Sequence, residues 1–304
     1  MALVRNRHFC IIMIVFMGCS MNFQNFVEVV KQNQWELHGI EVFKNVQTVE
    51  QYQRKSGRHP IYSATKSITS LAVGMAVEDG KFDIHAPLYE YLKSDVPAYA
   101  SAEQIENLKK ITMQRLLTMS VKGYPFRPEG DNWLEYSLMY PLQNVEEQEF
   151  DYSNISAYLV GVAVAKALNR HLFDYLEERL FEPLEIQKPE YQNCPSGYFY
   201  GASGMYLAVQ ELSKIGQVCL QKGIYKGRRI VSEEYLSEAT DVQLKNKEGG
   251  YGYYFWKYKD GYRISGKWGQ RCLIFPEREL MVTYLSNMEH GSEKLAKAVE
   301  EWIL

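Results

Sequence analysis

The sequence predicts an α+β fold. One antiparallel sheet is assembled from both chain ends and flanked by helices, with a mostly helical subdomain inserted between its halves. Three observations predict it. Alternation of strand type occurs early, in WELHGIEVFKN and QTVEQYQRK, and returns late, in YRIS and CLIFPERELMVTYLS. Residues 81–190, between these stretches, read mostly as helix. The chain of 304 residues is long enough for a substantial core. Residues 21–304 are read as a single domain, with 22–62 plus 200–304 as its α/β part and 63–199 as its mostly helical part.

The elements follow in order. Arg5 and Arg7 precede FCIIMIVFMG, an apolar run too short to span a bilayer but right for a signal-peptide core. Cys19 after Gly18 faintly resembles a lipoprotein processing site. Residues 1–20 are therefore a leader that exports or anchors the protein, or an upstream extension of a cytoplasmic protein that starts at Met21. The helical pattern Phe23, Phe26, Val27, Val30 begins at once after Met21, predicting a short helix at 23–33. A hairpin joined near Asn45 comes next, then a helix from Ile68 to Gly80. ITMQRLLTMS, NISAYLVGVAVAKAL and HLFDYLEERLFEPL are three further helical pieces. A helix at 207–222 precedes the strands YGYYFWKY and YRIS, and CLIFPERELMVTYLS is a hairpin turning at Pro276–Arg278. SEKLAKAVEEWIL closes the chain as a helix with Leu295, Ala298, Val299 and Trp302 on one face.

Composition narrows the function. Hydrophobic residues at 46% and charged residues at 23% match an ordinary globular protein. A net charge of −3 with no dense basic run argues against a nucleic-acid partner. The five cysteines lack any C-x-x-C pair and the six histidines any H-E-x-x-H pair, so neither a metal nor an organic cofactor is expected. Many of the 23 tyrosines sit in clusters such as YFYG and GYGYYFWKY, where they line a cleft or pack loops onto the surface.

Three segments carry chemistry. The first is SATK at the head of a helix that is apolar or small nearly all round. Burying an ammonium there is costly, so Lys66 needs a reason to be present. Positions three apart share a helix face, which brings the Lys66 amine to the Ser63 hydroxyl. Desolvation lowers a lysine pKa and makes the amine a base for an otherwise weak serine nucleophile. Helix N-terminal N–H groups favour the negative charge that develops beside Ser63. The alternative is a serine cap with a lysine snorkelling to the surface.

The second segment is FDYSNISAYLVGV, with Tyr152 and Asn154 just ahead of a helix. Tyr152 can pass protons between nucleophile and leaving group, and Asn154 can hold the lysine amine or a substrate carbonyl. Otherwise Tyr152 only packs and Asn154 only caps. Tyr191-Gln192-Asn193 repeats the pattern, but a loop follows it. The third segment is YRISGKWGQRCLIFPEREL, where Gly266 and Gly269 interrupt a strand pattern. Glycine in a strand marks a close approach of a ligand to the backbone, or a bulge without chemical role. An N–H exposed there could pair with that of Ser63 as an oxyanion hole.

In this order the three segments resemble the serine β-lactamase-related family of class C β-lactamases, DD-peptidases, family VIII esterases and nylon-oligomer hydrolases. The family's S-x-x-K, Y-x-N and K-T-G-like strand correspond to SATK, YSN and the stretch around SGKWGQ, and the likeness covers residues 39–304. It implies a β-lactamase/transpeptidase-like fold. It also implies Ser63 as acyl-accepting nucleophile, Lys66 as base or proton relay, Tyr152 as second acid/base, and Asn154 as the amide that orients Lys66 or substrate. The third motif fits in two registers. In one, Ile264-Ser265-Gly266 stands for K-T-G and the Lys267 N–H completes the oxyanion hole; in the other, Lys267-Trp268-Gly269 does and Gln270 donates. The first leaves no lysine for a substrate carboxylate, which counts against β-lactams and peptidyl-D-alanine. EEQEFDYSN also replaces the Pro-Gly turn usual in relatives.

The expected function is a serine hydrolase cleaving small esters or amides through a Ser63 acyl-enzyme. A D-amino-acid peptidase or amidase, or a weak β-lactamase, is the alternative enzyme. A catalytically silent domain binding a peptide or muropeptide is the alternative of another class. Ser203, His38, His59, His85 and Cys272 are read as turn, loop, strand-end or core residues without chemistry.

Overall fold

The structure, a computed structural model, describes residues 21–304. The leader-or-extension question for residues 1–20, with Cys10 and Cys19, lies outside the described residues. Helix α1 (Met21–Gln32) buries Phe23, Phe26 and Val30. Strands β1 (Leu37–Lys44) and β2 (Gln47–Gln53) form the predicted hairpin. Asn45 (φ 50°) and Val46 (φ 63°) supply its two left-handed turn residues, the geometry that matches the twist of the flanking strands. The short β3 (His59–Pro60) leads through a 3-10 turn, Tyr62–Ala64, into α2 (Thr65–Glu78).

The middle of the chain is helical, in shorter pieces than the periodicity predicts: α3 (Leu88–Leu92), α4 (Ala102–Lys110), α5 (Met113–Leu117) and α6 (Trp133–Met139). Then come α7 (Asn154–Leu168) and α8 (Leu172–Leu176), the latter running on into a wider π turn at Glu177–Phe181. α2 and α7 are buried over most of their length and pack on each other as the centre of this part. Strand β4 (Tyr206–Leu207) pairs with β3, and α9 (Val209–Leu220) lies across the sheet. A small ribbon, β5 (Ile224–Tyr225) with β6 (Arg228–Arg229), precedes α10 (Glu233–Thr240).

The chain then returns as β7 (Trp256–Tyr258), β8 (Gly261–Gly266), β9 (Gln270–Phe275) and β10 (Leu280–Ser286), ending in α11 (Ser292–Trp302). The six-stranded antiparallel sheet has the order β2-β1-β10-β9-β8-β7, so the N-terminal hairpin pairs directly with the last strand. Both faces are covered. Leu280, Val282 and Tyr284 pack with Phe23, Phe26, Leu295 and Val299 of α1 and α11, whereas Met281 and Leu285 belong to the larger core around α2, α7 and α9. β10 therefore reads as a continuous apolar run.

One element departs from the sequence reading. YGYYFWKY is a strand only over Trp256–Tyr258. Tyr251, Tyr253, Tyr254 and Phe255 are all buried, and Tyr254 is left-handed (φ 65°). The left-handed Tyr254 breaks the extended path, so these consecutive rings are buried by a loop. These tyrosines hold the two parts of the fold together: the Tyr254 carbonyl accepts from Ser67 at 2.7 Å, and the Tyr253 hydroxyl accepts from Gln114 at 2.8 Å.

Candidate active site

Ser63 sits in the 3-10 turn just ahead of α2, not within the α-helix, and follows Tyr62 in the left-handed region (φ 48°). Lys66, in the first turn of α2, does not snorkel; it is 1% exposed. Its amine contacts Ser63 Oγ at 3.1 Å, Asn154 Oδ1 at 2.6 Å and the Ala202 carbonyl at 2.8 Å. Among the described residues no carboxylate balances it, and burial alone pulls its pKa from 10.5 to about 7. The geometry suits the neutral form. The Asn154 and Ala202 oxygens take the amine's two N–H bonds, and the remaining neighbour, the Ser63 hydroxyl, can donate to its lone pair.

Each partner is fixed by the fold. The cap of α7 is Ser153, whose Oγ accepts from the Ile155 N–H at 3.0 Å. Asn154, the first helical residue, is thereby free to turn inward, where its Nδ2 donates to the Tyr200 hydroxyl at 3.0 Å. Gly201 is left-handed (φ 66°) and its carbonyl accepts from Thr69 Oγ1 at 2.7 Å, which sets the next carbonyl, that of Ala202, against Lys66. Tyr152 packs among Phe150, Tyr251 and Trp256 with its ring 4.8 Å from the Lys66 amine. Burial raises its pKa to about 12, opposed by a hydrogen bond with Ser63. Ser63, Lys66, Tyr152 and Asn154 thus form one connected cluster from two distant stretches of chain.

The third segment is a hairpin turn, not a bulge. Gly266 ends β8 opposite Gln270, which begins β9, and Lys267-Trp268-Gly269 makes the turn, with Trp268 (φ 62°) and Gly269 (φ 86°) left-handed. The close approach at Gly266 is to the chain itself: a Cβ there would lie 2.2 Å from the Ile61 carbonyl, two residues before Ser63. Of this segment Lys267 lines the cleft, whereas Ser265 pairs across β9 with Arg271 and does not line it. Gln270 is buried, and its side chain donates to the Lys267 and Ser286 carbonyls at 3.0 and 2.7 Å.

The cleft over Ser63 has a volume of about 760 Å³. Tyr62, Phe126, Trp133 and Tyr200 give it aromatic walls, and Arg127 and Glu129 bring charge. Sequence reasoning missed these last two, which sit on a loop without periodicity. It also missed the Ala202 carbonyl, because a main-chain oxygen has no residue signature. The tyrosine clusters divide: Tyr200 of YFYG lines the cleft, while Tyr251, Tyr253 and Tyr254 pack inside. Of the Tyr191-Gln192-Asn193 repeat, Tyr191 stacks on Phe173 at 3.7 Å and Gln192 reaches the cleft wall, as does Ser203. His38 and His59 stack at 3.8 Å, and Cys194, Cys219 and Cys272 are free and buried. Among the described residues no group of three or more His, Cys, Asp or Glu could hold a metal ion, and no helix is long and apolar enough to cross a membrane.

Known proteins share this architecture. The chain is 20% identical over 268 residues to the 6-aminohexanoate-dimer hydrolase of Paenarthrobacter ureafaciens, covering 76% of this chain and 66%, just under two thirds, of that enzyme. The class C beta-lactamase of Rhodobacter sphaeroides superposes with a TM-score of 0.73 at 15% identity, covering 93% of this chain and 98% of that one. The penicillin-binding protein of Bacillus halodurans gives 0.69 at 16% identity, covering 91% and 99%. The Beta-lactamase family model matches residues 27–302, nearly the whole described chain. With hydrolases among its relatives and this fold around a buried lysine beside Ser63, the chain belongs to the Beta-lactamase family.

Proposed function

We propose that the protein is a serine hydrolase that cleaves small esters or amides through an acyl-enzyme on Ser63. The observation that carries the reading is the uncharged environment of Lys66 beside the Ser63 hydroxyl. The neutral amine takes the Ser63 proton as Oγ attacks the substrate carbonyl. The developing oxyanion is held by the N–H groups of Ser63 and Lys267, a register supported by the burial of Gln270 away from the cleft. Tyr152, bonded to Ser63, returns a proton to the leaving group, and water then releases the acid by the reverse sequence. Asn154 orients Lys66 through its amide oxygen.

Ester substrates with apolar groups suit the aromatic walls. The position of the K-T-G lysine holds Ile264, fully buried, so β-lactams and peptidyl-D-alanine lose their usual cationic partner in this reading. An amide remains within range, since the curated relative is named for hydrolysis of a 6-aminohexanoate dimer. The test is the intact mass of wild type and Ser63→Ala after brief exposure to a p-nitrophenyl ester and, separately, to a penicillin, with p-nitrophenol release followed in parallel. Ester adduct or turnover that vanishes in Ser63→Ala supports the reading. A penicillin adduct of equal extent moves it to the peptidase or β-lactamase branch. Identical, unlabelled behaviour of both proteins replaces it with a silent binding domain.

A further inference from the structure

Arg271 poses a problem that the proposed reaction leaves open. It lies on β9 opposite Ser265 and Tyr284, and burial lowers its pKa. Among the described residues no carboxylate pairs with it: Glu248 is taken by Arg263, and Glu300 by Tyr258 and Lys259. A half-buried cation without a counter-charge needs another partner, and its position shows what that is. Its Nη1 donates to the Gly266 carbonyl at 2.5 Å and to the Gln270 carbonyl at 2.9 Å, spanning the two residues that close the hairpin beside Ser63.

The rest of the turn is held from behind in the same way. Gln270 Nε2 donates to the Lys267 carbonyl, and Ser286 Oγ donates to those of Trp268 and Gly269, at 2.7 and 3.2 Å. Every carbonyl from Gly266 to Gly269 is thus engaged by a side chain. The bond to Gly266 differs in being charge-assisted, and the Gly266 carbonyl belongs to the same peptide group as the Lys267 N–H. A carbonyl that accepts a strong hydrogen bond polarises its peptide and makes the N–H of that group a better donor.

We propose that Arg271 is a positioning residue of the oxyanion hole: it fixes the Gly266–Lys267 peptide and polarises it, so that the Lys267 N–H binds negative charge in the transition state more strongly than neutral substrate. This rests on the hydrolase reading with Lys267 as donor. Polarisation of one donor by this route is worth about 3- to 30-fold in rate.

The experiment compares wild type, Arg271→Lys, Arg271→Gln and Arg271→Met. It measures kcat and KM for a p-nitrophenyl ester, the inhibition constant of an arylboronic acid, which forms a tetrahedral anion on the serine, and Ser63 labelling by mass. In Arg271→Gln and Arg271→Met we expect kcat to fall and the boronate inhibition constant to rise by the same factor, about 10-fold, with KM within about 3-fold. Arg271→Lys, which keeps the charge, recovers most of both. Unchanged boronate affinity in Arg271→Gln overturns the proposal, as does loss of kcat and boronate affinity in Arg271→Lys as deep as in Arg271→Met. If Arg271→Met fails to fold, Arg271→Gln against Arg271→Lys decides. Failure of the underlying reading looks different: wild type itself is then not labelled on Ser63 and the ester is not turned over.

Discussion

Replacing Lys66 with Met tests whether the buried amine is uncharged, and the size of the effect follows from its surroundings. The folded chain holds this amine at a pKa of about 7 against the ordinary 10.5. Between those values the unfolded chain binds a proton that the folded chain does not, so stability rises with pH by about 1.4 kcal/mol per pH unit. Across the window this comes to about 5 kcal/mol, a cost fully present below pH 7 and gone above 10.5. Lys66→Met removes the titration. It also leaves Asn154 Oδ1 and the Ala202 carbonyl without their donor, at about 1–3 kcal/mol each. At pH 7 these effects nearly cancel, and the variant is as stable as wild type to within about 3 kcal/mol. Urea denaturation of both proteins at several pH values is the assay. Wild type should gain about 3 kcal/mol on the variant between about pH 7.5 and 9.5. If the two stability curves run parallel over that range, the folded chain keeps the proton, and Lys66 is no base.

Three further outcomes follow from the same coordinates. Gly266→Ala places a methyl group 2.2 Å from the Ile61 carbonyl, backbone against backbone, so the hairpin must move away from Ser63. Ester turnover should fall by about 100-fold or more with a lower melting temperature, read by kinetics and circular dichroism. Asn154→Leu removes an acceptor that favours the charged lysine, so the limb of kcat/KM set by Lys66 should shift below pH 7 in a pH–rate profile. His38, buried and stacked on His59 with Lys55 and Arg54 nearby and Glu36 opposing them, has its pKa lowered to about 4. The unfolded chain protonates first as pH falls, so stability should drop by about 2–3 kcal/mol between about pH 6.5 and 4. In denaturation measurements His38→Phe should flatten that slope.

What the sequence made legible was what side chains announce. The hairpin at Pro276–Arg278 could be read because proline and charge break an apolar alternation, and it stands as expected between β9 and β10. Ser63, Lys66, Tyr152 and Asn154 could be singled out because each has a functional group out of keeping with an apolar helix or its entry. The aromatic run at 251–255 misled because aromatic residues favour strands, and the left-handed Tyr254 that breaks the extended path has no signature in the sequence. The Ala202 carbonyl and the Gly266–Lys267 peptide stayed hidden, since main-chain groups are common to all residues. Their places depend on the left-handed Gly201 and on a hairpin closed by partners as far off as Ser286. Arg271 looked like one more charged residue in a strand until the carbonyls it bonds were known.

The pairing of β1 with β10 has a consequence for the life of the chain. The strand that leaves a ribosome early must wait for one of the last to emerge, with some 240 residues between Ile40 and Tyr284, its partner across the sheet. Such distant pairing is slow to close and leaves the early hairpin with an unpaired edge meanwhile. The turn at Lys267 is held by Ser286 from β10, so a growing or truncated chain that stops before that strand lacks a buttress of the turn beside Ser63. Synthesis itself therefore acts as a safeguard. A chain that stops before β10 carries no buttressed turn, and a protease that clips the last two strands should loosen the turn beside Ser63 although Ser63, Lys66 and Tyr152 all survive the cut.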